Sequence, residues 1–66
     1  MQLIINGEKQ ILDNGLNVAA LLSRLEVDTR QVAVERNREI VPKSQYGKTT
    51  LAEGDEIEIV GFIGGG

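Results

Sequence analysis

Glu53-Gly54-Asp55-Glu56-Ile57-Glu58-Ile59-Val60 joins a tight-turn signal to a run in which acidic and apolar residues alternate. A period of two puts Ile57 and Ile59 on one face, which predicts a half-buried strand over Glu56 to Val60. Working back from it, residues 43 to 50 read as a polar connection around Tyr46, the only tyrosine and a natural cap over a core. Before that connection, Glu39-Ile40-Val41 reads as a short strand that Pro42 ends, because proline cannot donate to a sheet ladder. Asn37-Arg38 reads as a turn, and Gln31 to Arg36 as a further strand with Val32 and Val34 on its buried face.

The first third of the chain supplies the remaining elements. Gln2 to Asn6 is strand-like, Asn6-Gly7 is a strong hairpin signal because a type I′ turn needs positive φ at both central residues, and Glu8 to Leu12 returns as a second strand. Asp13-Asn14-Gly15 breaks the pattern. Asn17 then suits a helix N-cap, Leu16 can staple onto Leu21, and Val18, Leu21, Leu22 and Leu25 form one apolar stripe. Arg24 sits in the last turn, where a cation suits the helix dipole. So short a helix is unstable alone and must pack on a sheet.

The order is therefore ββαββ followed by the alternating strand, four to five strands with one helix. One helix covers one face of such a sheet, giving a two-layer α+β domain. The compact solution sets the first and last strands, the most apolar, parallel and adjacent at the centre. That is the β-grasp, or ubiquitin-like, arrangement. A folded domain over residues 1–61 with a flexible glycine tail over residues 62–66 is expected.

Composition narrows the function. A chain of 66 residues buries only roughly 60% of its unfolded surface, which leaves no room for a deep walled pocket. There is no Cys and no His, so thiolate metal sites, disulfides and the usual general base are missing. No catalytic residue, metal site or bound cofactor is expected, and Gln10 and Ser44 show no catalytic arrangement. Seven Lys and Arg stand against ten Asp and Glu, with no basic cluster for nucleic acid. Lys9, Lys43 and Lys48 read as solvated. The late acidic run of Glu53, Asp55, Glu56 and Glu58 reads either as the solvated face of the strand and its turn or as a surface that steers the domain to a basic partner. No apolar run approaches the about 20 residues of a membrane span, and Met1 leads straight into a strand pattern without a signal peptide, so a cytoplasmic, monomeric protein is expected.

The last six positions, Gly61-Phe62-Ile63-Gly64-Gly65-Gly66, contain half of the eight glycines. After Val60 the alternation stops, and glycine extends a strand poorly. Such an end can be a frayed terminus. It can also be a working part: without Cβ atoms, Gly64 and Gly65 can thread a narrow slot in another enzyme and leave the carboxylate of Gly66 unhindered. That carboxylate, with a pKa of about 3.5, is an anion at neutral pH and a poor electrophile. It must be activated, most simply as an acyl-adenylate made from ATP, after which a sulfur donor could displace AMP and leave a thiocarboxylate. Phe62 and Ile63 either pack back on the sheet edge or anchor a partner.

Several stretches resemble the thiamin-biosynthesis sulfur-carrier family, ThiS. These are Val32-Ala33-Val34-Glu35-Arg36-Asn37, Ile40-Val41-Pro42-Lys43-Ser44-Gln45-Tyr46, Leu51-Ala52-Glu53-Gly54-Asp55, Ile57-Glu58-Ile59-Val60 and Gly64-Gly65-Gly66. The first strand, the Asn6-Gly7 turn and Asn17-Val18-Ala19-Ala20-Leu21-Leu22 fit too, so the resemblance covers the chain. It departs at Arg38, where a small turn residue is more usual, and at the bulky Phe62-Ile63. The resemblance implies a β-grasp domain that an E1-like adenylyltransferase activates at its last glycine with ATP and magnesium. A cysteine-derived persulfide, the product of a cysteine desulfurase, then converts the adenylate to a thiocarboxylate. The carrier docks on thiazole synthase and delivers sulfur to the thiazole ring. By position, Gly66 bears the adenylate and the thiocarboxylate. Three rival readings share the fold: a small subunit of molybdopterin synthase, a covalent protein modifier, and a non-covalent binding module whose tail has no role.

Overall fold

The structure, a computed structural model, describes residues 1–61. The elements run β1 (Gln2–Ile5), β2 (Glu8–Ile11), α1 (Val18–Arg24), a 3-10 turn (Thr29–Gln31), β3 (Val32–Arg36), β4 (Glu39–Val41), a second 3-10 turn (Lys43–Gln45) and β5 (Glu56–Gly61). One five-stranded sheet has the order β2-β1-β5-β3-β4. β1 and β5 pair in parallel, with Ile5 beside Ile57, and the other neighbours are antiparallel. The expected β-grasp arrangement is therefore present, with the first and last strands adjacent.

The two hairpins follow from turn chemistry. Asn6 and Gly7 have φ of 50° and 84°, and Asn37 and Arg38 have 52° and 71°, the positive values a two-residue hairpin requires. Asn tolerates this conformation and Gly prefers it, whereas Arg38 occupies it at a steric cost. The helix starts where Asn17 Oδ1 accepts from the Ala20 N–H at 2.8 Å. Asn17 Nδ2 also donates to the Gly47 carbonyl at 3.1 Å, so the cap ties the helix to the loop before β5. At the other end, Glu26 takes φ of 58°. Its N–H donates to the Ser23 carbonyl, and the Val27 N–H donates to the Leu22 carbonyl. That is a Schellman stop with Glu where Gly is usual. Arg24, the last helical residue, pairs with Asp13 at 2.7 Å on the open surface.

The core lies between α1 and the inner sheet face, where Val18, Leu21 and Leu22 of the helix join Leu3, Ile5, Val32, Val34, Val41 and Ile57. Leu16 and Tyr46 are buried with them, and Leu25 and Ile59 pack at the margin. Tyr46 donates its hydroxyl to the Val32 carbonyl at 3.4 Å, and burial raises its pKa.

Four expectations need correcting. Gln31 belongs to a 3-10 turn rather than to β3, because Asp28 Oδ1 accepts from the Arg30 N–H and starts a helical turn there. β2 ends at Ile11, and Leu12 instead donates its N–H to the Met1 carbonyl. Lys43 is not simply solvated, since its Nζ donates to the Arg30 carbonyl at 2.9 Å. Gly61, where the alternation stops, remains in β5 because Val32 of β3 lies opposite it.

Candidate functional site

The candidate site is the exit of β5, since every residue singled out for chemistry follows it in the sequence. Phe62, Ile63, Gly64, Gly65 and Gly66 lie outside the described residues. What the structure shows is how their attachment point is held.

β5 is the middle strand, and its two neighbours release it at different places. On one side β1 ends at Ile5, opposite Ile57. On the other side β3 stays paired as far as Gly61. Past the end of β1, Asn6 replaces the missing strand. Its N–H donates to the Ile57 carbonyl at 2.8 Å, its Oδ1 accepts from the Ile59 N–H at 2.7 Å, and its Nδ2 donates to the Ile59 carbonyl at 3.3 Å. The side-chain amide thus presents one donor and one acceptor, as a backbone amide would. Sequence reading assigned Asn6 to a strand end and a turn; its second role depends on the parallel neighbour and carries no local signal.

The entrance of β5 is held by Asp55, which sequence reading placed in the acidic run as a member of a solvated face. The structure contradicts this: Asp55 is 7% exposed. Its Oδ2 accepts from Arg36 Nε at 2.8 Å and from the Ala52 N–H at 2.8 Å, and its Oδ1 accepts from Asn37 Nδ2 at 3.1 Å. Asn37 in turn accepts from the Glu56 N–H and donates its own N–H to the Glu56 carbonyl. Burial by itself would raise the pKa of Asp55, but the bonds from Arg36, Ala52 and Asn37 outweigh it and hold the carboxyl below its ordinary value. A buried charge needs this satisfaction. The only hint in the sequence is that Asp55 falls at the turn and breaks the alternation. Of the others, Glu53 accepts from the Gln2 N–H at 3.0 Å, while Glu56 and Glu58 are exposed.

Nothing in this arrangement forms a reaction centre. Among the described residues no group of three His, Cys, Asp or Glu could hold a metal ion. No helix of the described residues is long and apolar enough to cross a membrane. One depression, of about 210 Å³, lies along Ile40, Pro42, Gln45 and Thr49. A second, of about 220 Å³, lies by Asn37, Arg38 and Glu56. Both are open and below the roughly 300 Å³ at which ligand pockets begin. Among the described residues, the arrangement holds the last residues of β5 between Asn6 and β3.

Comparison with known proteins agrees with the fold and with the resemblance in the sequence. A crystal structure of a thiamine biosynthesis protein (ThiS) from Geobacter metallireducens superposes with a TM-score of 0.87 at 39% identity, covering 100% of both chains. The sulfur carrier protein ThiS of Bacillus subtilis is 46% identical over 46 residues, 70% of this chain and 70% of that protein. A thiazole synthase of Paramagnetospirillum magneticum is 56% identical over 66 residues, which is all of this chain but only 20% of that protein. The chain thus spans about a fifth of the length of that relative. The ThiS family model matches residues 3–66. From the first strand to the last glycine, the chain belongs to the ThiS family.

Proposed function

We propose that this chain is a cytoplasmic sulfur carrier for the thiazole moiety of thiamin, and that the group it carries sulfur on is the carboxyl of Gly66. The observation that carries the reading is the family match, which runs through the fold and the closing glycines alike. The body gives partners a surface to recognise, and catalysis is left to them.

The chemistry follows from the carboxylate. Its oxygen attacks the α-phosphorus of ATP on an E1-like adenylyltransferase with magnesium, and pyrophosphate leaves. The resulting acyl-adenylate is a good electrophile because AMP is a good leaving group. A sulfur nucleophile from a cysteine-derived persulfide displaces AMP. Two electrons from a thiol then cleave the acyl disulfide so formed, leaving the thiocarboxylate. Thiazole synthase takes that sulfur, a step consistent with the thiazole synthase that contains a stretch 56% identical to this chain.

The test is intact mass after incubation with the E1-like enzyme, ATP, magnesium and a persulfide source. A gain equal to sulfur replacing oxygen, localised to Gly66, is expected. An unchanged mass beside a demonstrably active partner would reject the carrier reading and favour a non-covalent module.

A further inference from the structure

Asn-Gly occurs twice in the chain, at Asn6-Gly7 and at Asn14-Gly15. The dipeptide is chemically labile. Because glycine has no Cβ, its backbone nitrogen can reach the side-chain carbonyl carbon of the asparagine before it. In a folded protein the reaction depends on how tightly that asparagine amide is held.

The fold treats the two sites differently. Both glycines take φ of 84° with open space where a Cβ would sit, and both asparagines are exposed. Neither glycine conformation nor solvent access separates them. Hydrogen bonding does. Asn6 Oδ1 accepts from the Ile59 N–H at 2.7 Å and its Nδ2 donates to the Ile59 carbonyl at 3.3 Å. Its own N–H donates to the Ile57 carbonyl at 2.8 Å, and the hairpin closes around the turn with Ile5 beside Glu8. Bringing Cγ of Asn6 onto the Gly7 nitrogen would break both bonds to Ile59. Asn17 and Asn37 also have both amide atoms engaged. Asn14 is the exception. Among the described residues, no hydrogen bond is made by its amide or by the backbone of Asn14 or Gly15. That turn is anchored at its flanks instead, where Asp13 pairs with Arg24 at 2.7 Å and the Leu16 carbonyl accepts from the Leu51 N–H at 2.9 Å.

We propose that Asn14 is a self-modification site of the folded protein, deamidating through a succinimide to aspartate and isoaspartate, while Ile59 holds Asn6 intact. The Gly15 nitrogen loses its proton to hydroxide and attacks Cγ of Asn14. The new C–N bond closes the ring, the Cγ–Nδ2 bond breaks, and ammonia leaves with a proton from water, which regenerates the hydroxide. Water then opens the ring. Attack at Cγ gives aspartate, and attack at the backbone carbonyl carbon gives isoaspartate. The second product puts an additional carbon into the main chain and a second carboxylate beside Asp13. It lies just ahead of buried Leu16 and the Asn17 cap, so the start of α1 must shift. Its free α-carboxylate is the group that isoaspartyl methyltransferases methylate with S-adenosylmethionine.

Trypsin cuts after Lys9 and Arg24, which puts the two dipeptides in separate peptides, residues 1–9 and 10–24. The full chain is aged at mildly alkaline pH, folded and in urea, then digested and weighed. In the folded chain, residues 10–24 should gain the mass of hydroxyl replacing amine at least about tenfold faster than residues 1–9, since releasing Asn6 breaks two hydrogen bonds. In urea the two peptides should convert at similar rates. Asn14→Gln should abolish the gain in residues 10–24, which assigns it to that residue rather than to Asn17 or Gln10. An isoaspartyl methyltransferase with S-adenosylmethionine should label aged residues 10–24 and not the fresh peptide. Equal rates in the folded chain, a gain that survives Asn14→Gln, or an unchanged folded chain beside a converting one in urea overturns the assignment. A chain unreactive in urea as well overturns the chemistry.

Discussion

Replacing Asp55 by Ala should remove much of the stability of this domain, and the structure allows the size to be worked out. Three donors lose their acceptor: Arg36 Nε, the Ala52 N–H and Asn37 Nδ2. Hydrogen bonds to a charged group contribute about 1.5–3 kcal/mol each when both partners stay out of water, and bonds that share one carboxylate do not add in full. The side chain of Arg36 is 35% exposed, so its guanidinium can rehydrate and that part of the loss shrinks. The Ala52 N–H and the Asn37 amide are partly buried and regain less. A net loss of about 3 kcal/mol is expected, out of a total of roughly 3–10 kcal/mol for a chain of this length. Asp55→Asn keeps the shape but must set an NH₂ against either Asn37 Nδ2 or the Arg36 and Ala52 donors, and should lose about 2 kcal/mol.

Urea unfolding followed by far-ultraviolet circular dichroism measures both. With a slope of about 1 kcal/mol per molar, the midpoint should fall by about 2–3 M for Asp55→Ala. The effect should also depend on pH. The native pKa of Asp55 is lowered, so folding favours its ionised form. That contribution is complete above the ordinary carboxylate range and is lost as pH falls through the lowered native value. The gap between the unmodified chain and the variant should therefore narrow in acid. A midpoint shift under about 0.5 M, or a gap that stays constant from neutral to acid pH, would refute the assignment of Asp55 as a buried, ionised tie.

Asn17→Ala should cost about 1–2 kcal/mol in thermal unfolding, at the upper end because the Gly47 tie is lost with the cap, and Asn17→Ser should recover part of it. Leu21→Ala, at a position with 0% exposure, should cost about 3 kcal/mol and leave urea unfolding barely cooperative. Glu26→Gly should raise the urea midpoint by about 0.5 M, since glycine adopts the αL position without the steric cost that glutamate bears. Deletion of Gly65 and Gly66 should leave the melting temperature unchanged and abolish sulfur loading by intact mass, whereas a truncated chain that still loads would contradict the role given to Gly66.

The parts of the fold legible in the sequence are those whose signal is local. Asn6-Gly7, Asn17 with the stripe from Val18 to Leu25, Pro42 after Val41 and the alternation from Glu56 to Val60 each state their element through nearby residues. The parts misread have partners far along the chain. Gly61 looks like the end of a strand but stays in it because Val32 lies opposite. Asp55 looks like one more surface acid, and only the approach of Arg36 and Asn37 across the β3–β4 turn makes it a buried tie. The candidate site divides the same way: its glycines are plain in the sequence, while the side-chain amide of Asn6 that steadies Ile59 acts across 53 residues.

The sequence by itself determined the element order, the inward-facing residues and the kind of chemistry open to a chain without Cys or His. Periodicity, turn preference and side-chain inventory are properties of the chain read in order. Tertiary structure alone decided which carboxylate is buried, what replaces β1 beside the end of β5, and which of the two Asn-Gly asparagines has its amide held. Those are matters of register between strands, and register is fixed only when the helix and the sheet close on one core.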